Sequence, residues 1–124
     1  MAIEPVKILR SFGYAFSGLW YLVRTQRNAR IEIAVGVAAC ALAAWLRIDR
    51  EDWAILAITI AIVLMAEGLN TAIEVAVDLS TPQLHPRAKI CKDVAAGMVL
   101  IAAIGSVVVG ILIFGPPLWH RLVG

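Results

Sequence analysis

Three long stretches without a charged residue or a histidine constrain this 124-residue chain more than any other feature. They are Ile33–Leu46, Trp53–Ala66 and Val94–Trp119, and clusters of charged residues separate them. A helix that crosses a bilayer needs about 20 mostly apolar residues. The third stretch is long enough by itself, and the first two reach this length when they extend past Glu32 and Glu67. The sequence therefore predicts three transmembrane helices.

The composition excludes most other classes of protein. Apolar residues make up 61% of the chain and charged residues 16%, whereas soluble domains have about 45–50% and about 25%. A chain this short has too little interior to hide so much apolar surface from water. The net charge of +2 gives no basic surface for nucleic acid, and Cys40 and Cys91 fit neither a metal motif nor a disulfide framework. We predict an all-α integral membrane protein with a single domain over residues 1–124.

The distribution of Lys and Arg predicts the orientation in the membrane. Of the eleven such residues, eight lie before residue 31 or in the 79–93 loop. Short loops rich in Lys and Arg stay in the cytoplasm. We therefore expect the N-terminus and the 79–93 loop to be cytoplasmic and the C-terminus to lie outside.

The N-terminal residues 5–24 have the pattern of an amphipathic surface helix. Apolar side chains recur at steps of three and four residues, at Leu9, Phe12, Phe16, Leu19 and Val23. A helix of this kind lies in the headgroup plane with its apolar face towards the acyl chains. We predict this helix at 5–24 and the transmembrane helices at about 29–47, 53–78 and 87–117.

The second apolar stretch leads into an acidic segment with helical periodicity. At about 100° per residue, Glu67, Asn70, Glu74 and Asp78 fall within about 80° of one another on a helix. They span about 16 Å along the axis at about 1.5 Å per residue. Asp78 then lies near the cytoplasmic surface and Glu67 well below it. We name these four residues the acidic stripe.

The acidic stripe can be read as a functional site or as a polar contact that holds helices together. A carboxylate in hydrocarbon costs about 2.5–3.5 kcal/mol on insertion scales, whereas a hydrogen bond between membrane helices contributes about 0.6 kcal/mol. Three carboxylates exceed what helix association needs, which favours the functional reading. The depth of Glu67 suits a proton acceptor. Glu74 and Asp78, nearer water, suit Mg²⁺ and the phosphates it carries.

Lys92 and Asp93 begin the third transmembrane helix on the same side of the membrane. The ammonium group of Lys92 can meet a phosphate, and Asp93 can hold that lysine or a second hydroxyl. The chain contains neither a P-loop nor a G-x-G-x-x-G motif, and it has none of the protein-kinase motifs. Any nucleotide chemistry therefore requires a different framework.

One known family has this pattern of residues. The segment Glu67-x-Leu69-Asn70-Thr71-Ala72-Ile73-Glu74-x-x-Val77-Asp78 resembles the signature of the prokaryotic diacylglycerol kinase family, which includes undecaprenol kinases. Gly13-Tyr14, His85, Lys92-Asp93 and the three spans extend the resemblance over nearly the whole chain. The resemblance implies a homotrimeric bundle in the bacterial cytoplasmic membrane, with active sites shared between subunits.

The resemblance also implies a role for individual residues. Glu67 would be the general base that takes the proton from a lipid hydroxyl, and Asn70 would position the reacting groups. Contacts with ATP are implied for Tyr14, Gln26, Glu74, Asp78, Gln83, Leu84, His85, Lys92 and Asp93. Lys7 and Arg10 match basic positions near the lipid substrate or its phosphate.

The predicted Mg²⁺ site departs from the family pattern at one position. Glu74 is the first ligand, but Gln26 stands where the family often has a second glutamate. An amide oxygen binds Mg²⁺ without supplying negative charge. Either Gln26 serves as a weak ligand, or a nearby acid such as Glu32 compensates.

The sequence thus predicts an ATP- and Mg²⁺-dependent kinase of a membrane lipid alcohol. The run from His85 to Gly97 resembles the Gram-positive-type branch, which slightly favours undecaprenol over diacylglycerol as the acceptor. Two alternatives use the same residues differently. A small transporter or proton-relay oligomer would use the acidic stripe without ATP hydrolysis, and a structural membrane subunit would tolerate Glu67→Gln.

Overall fold

The computed structural model describes residues 4–124, and that part of the chain consists of four helices. The helices are α1 (Pro5–Thr25), α2 (Arg27–Leu46), α3 (Arg50–Ser80) and α4 (Pro86–Val123). The last three are long and apolar enough to cross a membrane. The predicted helical class is confirmed, and three helices have the length and composition that a membrane span requires, while the trimer and the placement of α1 on the membrane surface stay predictions.

A single extended residue separates α1 from α2. Gln26 has φ −105° and ψ 111°, and its N–H donates to the carbonyl of Leu22. The guanidinium of Arg30 folds back over this break and donates from Nη1 to the carbonyls of Val23, at 2.9 Å, and Arg24, at 3.0 Å. These bonds satisfy acceptors that the end of a helix leaves free.

A tight turn joins α2 to α3. Arg47 adopts the left-handed conformation at φ 54° and ends α2. The Asp49 side chain caps α3 by accepting from the N–H of Asp52 at 2.8 Å, as the N-cap preference for aspartate predicts. At the same end of the molecule, Arg121 lies 4.4 Å from the ring centre of Trp45, and its Nη2 donates to the Trp45 carbonyl at 3.4 Å. This contact attaches the end of α4 to the end of α2.

The helices extend beyond several predicted ends. The α4 helix continues to Val123 although residues 116 and 117 are prolines, whereas the sequence pattern predicts an end near 117. Each proline removes one hydrogen-bond donor, and membrane helices tolerate this loss because the freed carbonyls find other partners. The α3 helix is likewise continuous from Arg50 to Ser80 and passes through Gly68 without a break.

Packing is densest between α3 and α4, and α2 lies against α3. Ala43, Leu56 and Ile113 form the centre of a small core at the end where α2 turns into α3. Gly36 of α2 packs against Ile60 of α3, and a Cβ there would lie at the ordinary van der Waals distance of 3.4 Å from Ile60 Cγ2. Most large apolar side chains remain exposed on the single chain, which is the pattern of helices that face lipid or another subunit.

Candidate functional site

The acidic stripe lies on α3, and its burial decreases along the helix. Glu67 is only 2% exposed and is the largest fully buried side chain among residues 4–124. Asn70 and Glu74 are half-buried, and Asp78 is exposed. The stripe therefore runs from the protein interior to the surface at the α3–α4 connection.

Hydrogen bonds within α3 engage only part of the stripe. Asn70 Nδ2 donates to Glu74 Oε1 at 3.4 Å, and the buried Thr71 donates from Oγ1 to the Glu67 carbonyl at 3.0 Å. Glu67 Oε2, Asn70 Oδ1 and Glu32 Oε2 are buried without a hydrogen-bond partner in the described structure. A buried acceptor without a partner costs about 1–3 kcal/mol. These three oxygens suit a hydroxyl proton or a hard cation.

Glu32 brings a fourth carboxylate to the stripe from α2. It is half-buried, and it lines a cavity together with Val63 of α3, which lies about one helical turn before Glu67. The structure therefore places Glu32, the predicted compensating acid, on the side of α2 that meets α3 near the buried end of the stripe.

The donor set fits a magnesium ion that a substrate helps to bind. Within residues 4–124, no three His, Cys, Asp or Glu side chains form a ready metal centre. Mg²⁺ usually keeps several waters and binds through one or two carboxylates together with substrate phosphates. Glu74 with one further oxygen ligand satisfies that requirement, and the unpartnered oxygens are of the type Mg²⁺ prefers.

A pocket of about 210 Å³ opens where α3 ends and α4 begins, and we name it the α3–α4 pocket. It brings together six of the residues predicted to contact ATP: Asp78, Gln83, Leu84, His85, Lys92 and Asp93. His85 caps α4 by accepting from the N–H of Arg87 at its Nδ1. Capping at Nδ1 leaves Nε2 of the neutral ring as a donor.

Two ion pairs organise the charges of the α3–α4 pocket. Lys92 Nζ donates to Asp78 Oδ1 at 2.6 Å, and Lys89 pairs with Asp93. The expectation that Asp93 can hold Lys92 is therefore replaced by a pairing between helices. Residues 92 and 93 point about 100° apart on a helix, whereas Lys89 and Asp93 lie one turn apart on the same face.

The predicted residues of α1 lie outside this pocket. Tyr14 is 73% exposed, and Lys7 and Arg10 are exposed as well. Gln26 is half-buried at the α1–α2 break, where its Nε2 donates to Thr25 Oγ1 at 3.3 Å. A single chain therefore brings six of the nine residues predicted to contact ATP into one pocket, whereas Tyr14, Gln26 and Glu74 do not line it.

Sequence reasoning missed the side-chain contacts of Thr71 and Arg30. Thr71 lies four residues after Glu67 on the same helix, a spacing at which a threonine hydroxyl bonds the preceding turn, so this contact had a readable signal. Arg30 had none, because its partners belong to a different helix.

Comparison with known proteins identifies the family. Residues 13–114 match the family described as prokaryotic diacylglycerol kinase. The chain belongs to the prokaryotic diacylglycerol kinase family. The predicted family and the predicted enzyme class, a lipid kinase, are confirmed. Membership decides against the transporter and the structural subunit.

Three curated relatives show how far the similarity extends. A diacylglycerol kinase of Synechocystis is 46% identical over 94% of this chain and 67% of its own length. An undecaprenol kinase of Bacillus subtilis is 38% identical over 93% of this chain and 94% of its own length. A diacylglycerol kinase of Escherichia coli is 30% identical over 82% of this chain and 84% of its own length. With three apolar helices, these bacterial relatives indicate a multi-pass bacterial membrane protein.

Proposed function

We propose that this kinase transfers the γ-phosphoryl group of ATP to the hydroxyl of a membrane lipid alcohol at the acidic stripe. The observation that carries the proposal is the buried Glu67, whose Oε2 has no partner. Glu67 lies near the middle of α3, and the C-terminal end of this helix borders the α3–α4 pocket, which Asp78 and Lys92 line. A proton acceptor inside and a cation at the surface are what phosphoryl transfer to a lipid requires.

In the proposed reaction, Glu67 Oε2 accepts the proton of the lipid hydroxyl. The lipid oxygen then bonds to the γ-phosphorus, and the bond from that phosphorus to the oxygen of ADP breaks. Asn70 orients the reacting groups, since its Oδ1 is unpartnered and its Nδ2 is held by Glu74. Glu74, with Gln26 or Glu32, would hold Mg²⁺, which neutralises phosphate charge when bound.

ATP would bind at the surface end of the stripe. Lys92 faces the phosphates, and Asp78 holds its ammonium group in place until they arrive. Gln83, Leu84 and His85 line the side of the pocket formed by the connection between α3 and α4. We place this pocket in the cytoplasm, as the distribution of Lys and Arg predicts.

We further propose a homotrimer with shared active sites. The α1 residues implied in binding, which are Tyr14, Lys7 and Arg10, are exposed and lie away from the α3–α4 pocket of their own chain. In a homotrimer, α1 of one subunit can approach the pocket of another. Native mass spectrometry of the active enzyme in detergent should give the mass of three chains, and activity from a monomer alone would contradict this proposal.

The acceptor lipid is decided by a transfer assay. Radiolabelled γ-phosphate from ATP should appear in undecaprenol, diacylglycerol or both when each is presented in mixed micelles with Mg²⁺. The sequence resemblance slightly favours undecaprenol, and the relatives include kinases named for each lipid. Label in neither lipid, nor in any other lipid alcohol of a panel, would overturn the proposed function.

Gln26→Glu tests the metal ligands. We expect the variant to keep or raise the transfer rate, because a carboxylate at the α1–α2 break adds negative charge for Mg²⁺. The dependence of the rate on Mg²⁺ concentration should shift to lower values. Loss of activity in a correctly assembled Gln26→Glu variant would remove position 26 from the metal site.

Lys92→Ala tests the phosphate contact. Removing a cation that stabilises transferring phosphate charge should lower the rate by about 10²-fold, and equally for every acceptor lipid. Stability should change little, because the Asp78–Lys92 pair is exposed. Arg87→Ala is the matched control, since Arg87 begins the same helix but does not line the α3–α4 pocket. An effect restricted to one lipid would move Lys92 to the lipid site.

A further inference from the structure

The break between α1 and α2 leaves the end of α1 short of hydrogen-bond donors. A helix end has four carbonyls without an intrahelical partner. The N–H of Gln26 reaches the Leu22 carbonyl, but the extended conformation of Gln26 turns the chain away from the carbonyls that follow.

Arg30 supplies the missing donors from the first turn of α2. Its Nη1 bridges the carbonyls of Val23 and Arg24 at 2.9 and 3.0 Å. A cation is also favourable at the negative end of the helix dipole. Neither ion pair of the described residues involves Arg30, and its guanidinium bonds the backbone carbonyls of α1 instead.

Within residues 4–124, α1 makes few contacts with α2 and α3. Residues 4–21 are exposed throughout, and Leu22 is the one buried residue of this helix. Leu22 packs beside Gly68, where its Cδ2 lies 3.7 Å from the position of a Cβ. Gly68 directly follows Glu67 in α3. The Leu22 contact and the two Arg30 bonds therefore attach α1 next to the buried end of the acidic stripe.

We propose that Arg30 is a positioning residue, which fixes the direction of α1 and the place of Gln26 relative to the acidic stripe. The inference rests on the proposed function, because the roles of Tyr14, Gln26, Lys7 and Arg10 in binding belong to it. Arg30 then acts on substrate affinity, while Glu67 and Asn70 act on the chemical step from α3. Loss of the two bonds leaves the chemistry intact but spreads the binding groups of α1 over many positions.

The experiment measures the geometry of α1 and the kinetics of the same variants. Cys40 and Cys91 are replaced by alanine, and spin labels are attached at Ser17→Cys on α1 and Ala38→Cys on α2, both exposed positions. Labelled chains are diluted with unlabelled chains to suppress distances between subunits. The distance distribution is measured by pulsed electron spin resonance in phosphatidylcholine nanodiscs. The matched control is Arg27→Ala, an exposed arginine in the same turn of α2.

We expect Arg30→Ala to broaden the distance distribution and Arg27→Ala to leave it narrow. In the unlabelled variants, Arg30→Ala should raise KM for Mg-ATP by about tenfold, with kcat at saturating substrate within about threefold of the parent. Arg30→Lys keeps one cationic donor and should give an intermediate width and an intermediate KM. If Arg30→Ala does not assemble, Arg30→Lys is tested in its place, by the width of the distance distribution and the KM for Mg-ATP.

Three results would overturn the inference. An unchanged distribution with lost activity would place Arg30 among the groups that contact substrate. A broader distribution without a change in KM would show that the direction of α1 does not control binding. If the distance distribution, KM and kcat of Arg30→Ala were all unchanged, Arg30 would have no positioning role. The distance measurement needs no catalysis, so a parent enzyme that phosphorylates no lipid refutes the proposed function without deciding how Arg30 holds α1.

Discussion

Glu74→Ala should reduce lipid phosphorylation to background, a loss of about 10³-fold or more. Glu74 is the half-buried carboxylate midway along the acidic stripe, and it is the proposed Mg²⁺ ligand. The other two carboxylates of the stripe cannot replace it, because Glu67 accepts the proton in the proposed reaction and Asp78 is paired with Lys92. The substitution also removes the acceptor that holds the Asn70 side chain. Charge neutralisation and orientation are therefore lost together.

The affinity for Mg-ATP, measured apart from the turnover rate, shows whether Glu74 holds the metal. Titration calorimetry should show weakened binding of Mg-ATP to Glu74→Ala, whereas Glu74→Gln keeps one oxygen ligand and should retain part of the affinity. Glu51→Ala is the matched control, because Glu51 lies in the first turn of the same helix, at the opposite end from the stripe. Near-normal turnover by Glu74→Ala would show that the metal is held by other residues.

The helices were predictable because hydropathy and charge act locally along this chain. Charge-free stretches bounded by arginines and acids predict three apolar helices, and the structure has three helices long and apolar enough to cross a membrane. The end of α4 was less predictable. Proline inside a helix usually ends it, but the segment beyond Pro117 remains helical to Val123. The contact of Arg121 with Trp45, 76 residues away in sequence, gives this segment a partner, and such a contact has no local signal.

The acidic stripe was predictable for the same reason, and its surroundings were not. Four residues on one helix share a face through the helical repeat alone. The partner of Lys92 depends on how α3 packs against α4, and the position of Glu32 beside α3 depends on how α2 packs against α3. Side chains from different helices meet only after the helices have packed. The sequence therefore predicts which residues belong to the site but not which of them contact one another.

Glu67→Gln should lower the transfer rate by roughly 10²–10⁴-fold, the usual contribution of a general base. The side chain is 2% exposed and its Oε2 has no hydrogen-bond partner, so that oxygen is available to the proton of a lipid hydroxyl. Glutamine keeps the shape and the carbonyl oxygen but cannot accept that proton as a base. Binding of Mg-ATP should be nearly unchanged, because six of the residues predicted to contact ATP line the α3–α4 pocket at the other end of the stripe, and Glu67 does not.

The same substitution should leave the assembled enzyme as stable as the parent or more stable. A buried carboxylate carries a large desolvation cost, and Glu67 is buried. An amide removes the charge and with it this cost. Single-turnover transfer, calorimetric binding of Mg-ATP and thermal unfolding in the same detergent measure the three quantities on one preparation, with Glu51→Gln as the control. Near-normal transfer would refute the role of general base. If Glu67→Gln lost both Mg-ATP binding and phosphoryl transfer, Glu67 would instead belong to the metal ligands. A base that acts only on the lipid hydroxyl contributes nothing to nucleotide affinity.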